Sequence, residues 1–314
     1  MGVKLLNSFL ASINSDGVER VSLETLRGKK IAVDTSIYLY RFKATCALIE
    51  NMYLLCSIFR HYDISPIFVF DGKTPAVKQE TVRKRELNKQ KAEKLYSIVK
   101  RELEQATTKE DKDRMERQLS NLRNKIVRVT RQDREKVKEL LDSYGMCHIT
   151  ASEEADALCS AFTKKGHVYA CLSEDTDMFA YGSSRVLKYL SLLNHTVMLY
   201  DTKRILSSLD MTQAEFRDLC AAAGTDYGST SCSIFSLYGH FDSYKQSSSP
   251  RFLDWLAGKH IDMNKYHDLN DTVDIYNTAA AVILKEQPYR LIQNGAVDTG
   301  RLESILEDNG FIFI

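Results

Sequence analysis

Carboxylates at the ends of apolar runs are the residues best suited to chemistry in this 314-residue chain. Asp34 closes Lys30-Ile31-Ala32-Val33, and Asp71 closes Pro66-Ile67-Phe68-Val69-Phe70 ahead of a turn at Gly72. Asp175 and Asp177 follow the run His167-Val168-Tyr169-Ala170-Cys171-Leu172. Glu154 and Asp156 stand in Ala151-Ser152-Glu153-Glu154-Ala155-Asp156-Ala157, at the first turn of an expected helix. Asp226 follows an apolar helix in Ala223-Gly224-Thr225-Asp226-Tyr227-Gly228. Taken singly, each has an ordinary reading as a helix cap, a turn residue or a favourable charge at a helix N-terminus. Three separate apolar strands that each end in acid are harder to explain that way. In an open parallel sheet ligands sit beyond the C-terminal strand ends, so chain topology points these acids at one rim. Clustered acids either take up protons or bind cations. All-oxygen donors with no nearby His or Cys select Mg²⁺, with Mn²⁺ as a substitute, rather than zinc. Two such ions about 4 Å apart clamp a phosphodiester, one activating water and the other stabilising the leaving oxygen. The expected chemistry is metal-dependent phosphodiester hydrolysis.

The elements that must position these acids follow from periodicity. Strands are expected at 30–34, 66–70, 147–149 and 167–172, with two more β-rich pieces near 186–190 and 197–200. One long amphipathic helix is expected from Ile37 to Tyr62 and another helix from Glu153 to Phe162. Residues 76–143 contain no Pro or Gly and predict almost continuous helix. Its break falls at 107–111, where Thr108 and Asp111 resemble a capping box. The C-terminal third is expected to be helical, with a break at Ser247-Ser248-Ser249-Pro250. This alternation predicts an α/β fold, a mainly parallel central sheet with helices on both faces. The expected division is one domain over 1–314: an N-terminal region 1–72, a helical arch 73–143, an internal region 144–228 and a helical C-terminal region 229–314.

Charge is balanced in total, with 43 Lys+Arg against 42 Asp+Glu, but not along the chain. Residues 73–138 hold 21 basic and 11 acidic side chains, whereas the rest hold 22 and 31. A basic arm beside an acidic rim suits a polyanionic substrate. A solvated coiled coil is the plainer reading of the arm by itself. Hydrophobic residues at 44% and charged residues at 27% exclude a disordered or fibrous chain. Seven cysteines, odd in number and without a Cys-x-x-Cys pair, predict reduced, buried thiols in an intracellular compartment, neither zinc ligands nor a disulfide frame. No run approaches 18 apolar residues, so no membrane span is expected, and the start is too short and polar for a signal peptide.

In order along the chain, MGV at the start, IAVDTSIYLY (31–40), FVFDGKTPAVK (68–78), KIVRVTRQD (125–133), ASEEADA (151–157), SEDTDMFAYGS (173–183) and AGTDYG (223–228) resemble the flap endonuclease/XPG (Rad2-like) family of structure-specific 5′ nucleases. Residues 301–311 resemble that family's closing helix. The resemblance implies a PIN-like nuclease core with a helical arch. It implies cleavage near single-strand/double-strand junctions of branched or nicked DNA with a 5′ single-stranded end, with 5′→3′ exonuclease activity, in replication, repair or recombination. By position, Asp34, Asp71, Glu154 and Asp156 resemble the ligands of a first Mg²⁺, and Asp175, Asp177 and Asp226 those of a second, with Asp156 shared. Lys78 and Arg85 match a basic pair facing the scissile phosphate, with Lys84 beside them as a further substrate-binding residue. Tyr40 matches an aromatic that stacks on a base, and Gly2 a residue lying against substrate.

The chain departs from the family pattern in three places. The stretch Ser229-Thr230-Ser231-Cys232-Ser233-Ile234 is a degenerate form of the usual helix-two-turn-helix, shorter and without its glycines, in which a backbone nest for duplex phosphates and K⁺ is hard to build. Only 36 residues separate Asp34 from Asp71, so the part that forms the family's wedge and 3′-flap pocket is trimmed. Residues 310–314 carry no sliding-clamp box. Oligomeric state is not specified by any motif. A non-catalytic DNA-junction scaffold, a 5′→3′ exoribonuclease and a partner-binding coiled coil are the alternative readings.

Overall fold

A computed structural model describes residues 2–13, 15–228, 232–257, 259, 263–283 and 294–312, with backbone alone at 76, 263–265 and 279–283. Seven strands form one sheet: β1 (Val18–Ser22), β2 (Lys30–Asp34), β3 (Ser65–Phe70), β4 (Cys147–Thr150), β5 (Ala170–Leu172), β6 (Arg185–Ser191) and β7 (Thr196–Asp201). Their order is β1-β7-β6-β5-β2-β3-β4. The pairs from β6 through β4 are parallel, and β7 runs antiparallel to both β6 and β1. The helices are α1 (Leu6–Ser12), α2 (Thr35–Ala44), α3 (Leu48–His61), α4 (Gln79–Gln105), α5 (Lys109–Ile126), α6 (Arg131–Ser143), α7 (Ala155–Lys164) and α8 (Asp177–Tyr181), followed by α9 (Thr202–Ser208), α10 (Gln213–Ala223), α11 (Ile234–Tyr238), α12 (Phe241–Lys245), α13 (Phe252–Ala257), α14 (Met263–Ile283) and α15 (Thr299–Glu307).

The two-residue period of a strand divides the core between the faces of the sheet. Ala32, Ile67, Val69 and Cys171 point to one face, where α1, α7, α8, α10 and α14 pack. Ile31, Val33, Phe68, Phe70 and Leu172 point to the other, under α2, α3, α6 and α15. Buried on both sides, the central strands are continuous apolar runs, which is why they were legible as strands. The α/β architecture with a mainly parallel sheet is as expected.

Four local expectations need correction. The helix expected over 37–62 is two, α2 and α3, separated at Thr45-Cys46-Ala47, where Cys46 takes φ +57° and its thiol, expected to be buried, is exposed. The run 76–143 breaks twice. Thr108 caps α5 by accepting from the Asp111 N–H, as its sequence suggested, and Thr130 caps α6 in a full capping box with Asp133. The strand expected over 167–172 forms only from Ala170, and β1 was not foreseen because its residues, Val-Glu-Arg-Val-Ser, bury no continuous apolar face. The helix expected from Glu153 begins at Ala155.

The basic segment is therefore a hairpin of α4 and α5. At 27 residues, α4 is about 40 Å long. The hairpin carries its own small seam: Ala92, Tyr96 and Val99 from α4 meet Met115, Leu119, Leu122 and Ile126 from α5. Helix α6 turns its Val137, Leu140 and Leu141 into the body instead, and α15 packs against it. The shortened segment at 229–231 lies outside the described residues. The described part beyond it resumes at Cys232, and Ser233 caps α11.

Candidate active site

Strands β5, β2, β3 and β4 are neighbours and parallel, so they end at one edge. Val33 pairs with Leu172, which sets Asp34 level with Ser173. The Ser173 hydroxyl donates to Asp34 Oδ2 at 3.0 Å and accepts from the Asp175 N–H at 3.0 Å. Asp175 Oδ1 in turn accepts from the Asp177 N–H at 3.0 Å, so this turn is wound about its own side chains. Phe70 pairs with Thr150, which brings Asp71 to the start of α7. There Asp71 accepts from Ala155 N at 2.9 Å and from the Ser36 hydroxyl at 2.5 Å, joining α7 to α2. Asp156 sits on the first turn of α7 with Oδ1 shut off from solvent.

Two cations of the hairpin base reach this rim. Lys78, Thr81 and Arg85 are spaced to share one helical face. The buried Lys78 Nζ lies 2.8 Å from Glu154 Oε1, 4.0 Å from Asp177 Oδ2 and 4.2 Å from the centre of the Tyr227 ring. Burial opposes its charge, but Glu154 and Asp177 outweigh that and hold its pKa above the ordinary lysine value. Arg85 contacts Asp226 Oδ2 at 2.5 Å, and the Thr81 hydroxyl donates to the Asp226 carbonyl at 2.9 Å. Arg85 and Lys78 thus serve as counter-ions to three of the acids.

Burial is the largest influence on the remaining charge. It pushes the Asp34 carboxyl up to about 8, with Asp71 adding to it, and the Asp177 carboxyl up to about 8, with Asp175 adding to it. Asp156 rises well above the usual carboxylate range through burial and then the fields of Asp34, Asp175 and Asp71. These mutual influences put Asp34, Asp71, Asp156, Asp175, Asp177 and Asp226 in one electrostatic unit, with Glu154 joined through Lys78. Asp156 Oδ1 and Asp177 Oδ2 are buried without a hydrogen-bond partner. Among the described residues no three His, Cys, Asp or Glu side chains form a ready-made cage for an ion as they stand. The donor set nonetheless fits hard divalent cations: it is all oxygen, it carries excess negative charge, and two of its atoms are orphaned.

The other expected residues divide. Gly2, at φ +83°, lies so close to the acidic turn that a Cβ there would collide with Asp175 Oδ1 and lie 2.6 Å from Thr176 Oγ1, so only glycine fits. Tyr40 is 41% exposed, with the Lys89 ammonium 5.3 Å from its ring centre. Lys84 is not brought to the carboxylates; it pairs with Glu80 at 2.7 Å on the solvated side of α4.

Several residues at the site were not foreseen. Tyr227 donates to Glu154 Oε2 at 2.6 Å, and Tyr276, from the distant α14, donates to Asp177 Oδ1 at 2.9 Å. Lys188 is fully buried and donates to the Glu174 carbonyl at 2.6 Å. Next to it Tyr189, at φ +56° in a bulge of β6, donates its N–H to the Glu174 carboxylate at 2.7 Å. Together they clamp the turn that carries Asp175. A lysine inside the apolar run Val186-Leu187-Lys188-Tyr189-Leu190 was the available signal. Tyr227 stood beside Asp226 in the 223–228 motif, whereas Tyr276 offered no signal, because an aromatic residue on a helix ordinarily fills a core.

The XPG N-terminal domain matches residues 1–92 and the XPG I-region matches residues 145–226. The chain is 32% identical to flap endonuclease 1 of Babesia bovis over 249 residues, which covers 73% of this chain and 35% of that protein. It is 30% identical to flap endonuclease 1 of Candida tropicalis over 279 residues, covering 82% of this chain and 71% of that one. The chain thus spans about a third of the first relative's length and over two thirds of the second's. In fold it is similar to the catalytic core of Rad2 in complex with DNA substrate, with a TM-score of 0.66 at 23% identity over 98% of this chain and 95% of that one. With matches on both sides of the hairpin that cover each carboxylate of the rim, the chain belongs to the flap endonuclease/XPG (Rad2-like) family.

Proposed function

We propose that this chain is a structure-specific 5′ DNA nuclease of the flap endonuclease type. It hydrolyses phosphodiester bonds near single-strand/double-strand junctions of branched or nicked DNA with a 5′ single-stranded end, and degrades 5′→3′ from nicks and gaps. The observation that carries this is a rim of seven carboxylates, two with buried oxygens lacking hydrogen-bond partners, beneath a basic helical hairpin. Asp34, Asp71, Glu154 and Asp156 would hold one Mg²⁺ and Asp175, Asp177 and Asp226 a second, with Asp156 shared. Bound there, the ions supply an activated water and neutralise charge on the leaving oxygen. Lys78 and Arg85, which pair with Glu154, Asp177 and Asp226, would present fixed positive charge to the phosphoryl oxygens. The basic hairpin attracts the phosphates of the 5′ strand, and Tyr40 offers a ring for a base near the cut. The free thiols fit an intracellular site of action.

A 5′-labelled flap incubated with Mg²⁺ tests this. The protein is expected to release a short 5′ product near the junction, and Asp34→Ala to slow release by about 10²–10³-fold or more while DNA binding stays measurable. Normal turnover by Asp34→Ala, or binding without any cut by the wild type, overturns the proposal. A matched RNA flap cut faster than DNA redirects it to an exoribonuclease.

A further inference from the structure

We propose that Tyr276 on the C-terminal helix α14 is a positioning residue for Asp177, and that Tyr181 acts likewise on Glu154 through Tyr227, so that the site's affinity for cations depends on a helix that contributes no ligand. The inference rests on the functional reading above.

The hydroxyl hydrogens can be assigned by elimination. A cation-bound carboxylate is ionised and can only accept. Tyr276 must therefore donate to Asp177 Oδ1 at 2.9 Å, and Tyr227 must donate to Glu154 Oε2 at 2.6 Å. Tyr227 has then spent its one proton, so at its 2.6 Å contact with Tyr181 it accepts and Tyr181 donates. Tyr276 accepts from the Thr225 hydroxyl, whose oxygen accepts from the Tyr227 N–H at 3.1 Å. Every phenol is thus satisfied in its neutral form, and burial pushes all three pKa values up, which keeps them so.

The arrangement sorts the carboxylate oxygens. Tyr276 takes Asp177 Oδ1 and leaves Oδ2 buried without a hydrogen-bond partner, the atom available to an ion. Tyr227 takes Glu154 Oε2, while Oε1 faces Lys78, a cation that an incoming ion would displace. The rings fix one another edge to face: Tyr276 lies 4.8 Å from Tyr181 and 5.5 Å from Tyr227 between ring centres. Tyr276 is fully buried. A phenylalanine would keep those contacts and lose only the donated hydrogen. Hydrogen-bond partners of metal ligands typically change metal affinity by 10–100-fold when removed.

The test uses the full chain without DNA. Mn²⁺ is titrated into wild type and Tyr276→Phe, with the free ion followed by electron paramagnetic resonance. The expected result is about tenfold weaker binding by Tyr276→Phe. Its cleavage rate should recover toward wild type at saturating Mg²⁺, with the KM for flap DNA unchanged. Tyr181→Phe, which touches no carboxylate, should weaken Mn²⁺ binding by a smaller factor. Wild-type Mn²⁺ affinity in Tyr276→Phe overturns the proposal. So does a loss of rate that saturating Mg²⁺ does not restore together with a raised KM, because that pattern belongs to packing. Unchanged affinity in Tyr181→Phe removes the Glu154 arm. If the wild type itself neither binds Mn²⁺ nor cuts, the functional reading fails, whereas equal binding by wild type and variant sinks only this inference.

Discussion

Asp34, Asp156 and Asp177 are a cost to the ion-free fold. Their unfolded pKa is near 3.8, and burial pushes Asp34 and Asp177 up to about 8 when folded. Between those values the folded state holds protons that the unfolded state has lost, so stability falls as pH rises from about 4 to about 8 and then levels. A divalent cation held at the rim as proposed would bind the ionised form and remove that penalty. The expected outcome is that Mg²⁺ raises the melting temperature little near pH 5 and progressively more toward pH 8. Melting curves in Mg²⁺ and in chelator across that range check it; a gap between them that does not change with pH would falsify it. The same acids were the most legible residues in the sequence, because a charge that ends an apolar strand has few structural uses. Lys84, next to Arg85 in the chain, is paired with Glu80 on the exposed side of α4, away from these acids.

The decisive local features among the elements are the breaks. Thr130 and Asp133 form a reciprocal capping box at the start of α6, and Asp133 also holds Lys43 of α2 at 2.6 Å. This break separates the hairpin, which packs mostly on itself, from α6, which packs into the core. Arg128 bridges the gap, reaching Glu86 at 2.7 Å and Glu93 at 3.2 Å on α4, though such exposed pairs contribute little each. Thr130→Ala is expected to cost about 1–2 kcal/mol through loss of the cap. A lower urea midpoint with an unchanged slope checks this, and an unchanged midpoint would mean that packing alone holds α6. The second break was readable as Thr-x-x-Asp, the pattern recognised at Thr108, but it was hidden within a long helix-favouring run.

Across the whole molecule, the C-terminal helices secure the loop that carries Asp226. Helix α10 leads directly to Asp226, and its Asp218 is buried. Arg251 contacts both Asp218 oxygens, at 2.8 and 3.0 Å, and reaches Asn270 of α14 at 2.6 Å, while the Leu253 N–H of α13 adds a bond at 3.2 Å. Arg251→Ala leaves Asp218 buried without its cation. The expected loss is about 2–4 kcal/mol in urea unfolding, below the full cost of a buried pair because Arg251 is partly exposed. A loss under 0.5 kcal/mol, no more than an ordinary surface substitution, would show that packing alone holds α10 in place.

The order of apolar runs and the acids at their ends were enough, without coordinates, to set out an α/β sheet, a common rim and a basic arm. These are properties of period and sequence order, and they survive any detail of packing. Which side chains complete the rim was decided only by tertiary structure. Tyr276 lies 99 residues from Asp177. Lys188 reaches the Glu174 turn from a neighbouring strand, through a bulge that no local pattern announces. Contacts of that kind depend on how helices and strands pack across the sheet. Burial then turns a hydroxyl that would be incidental in water into the group that orients a carboxylate.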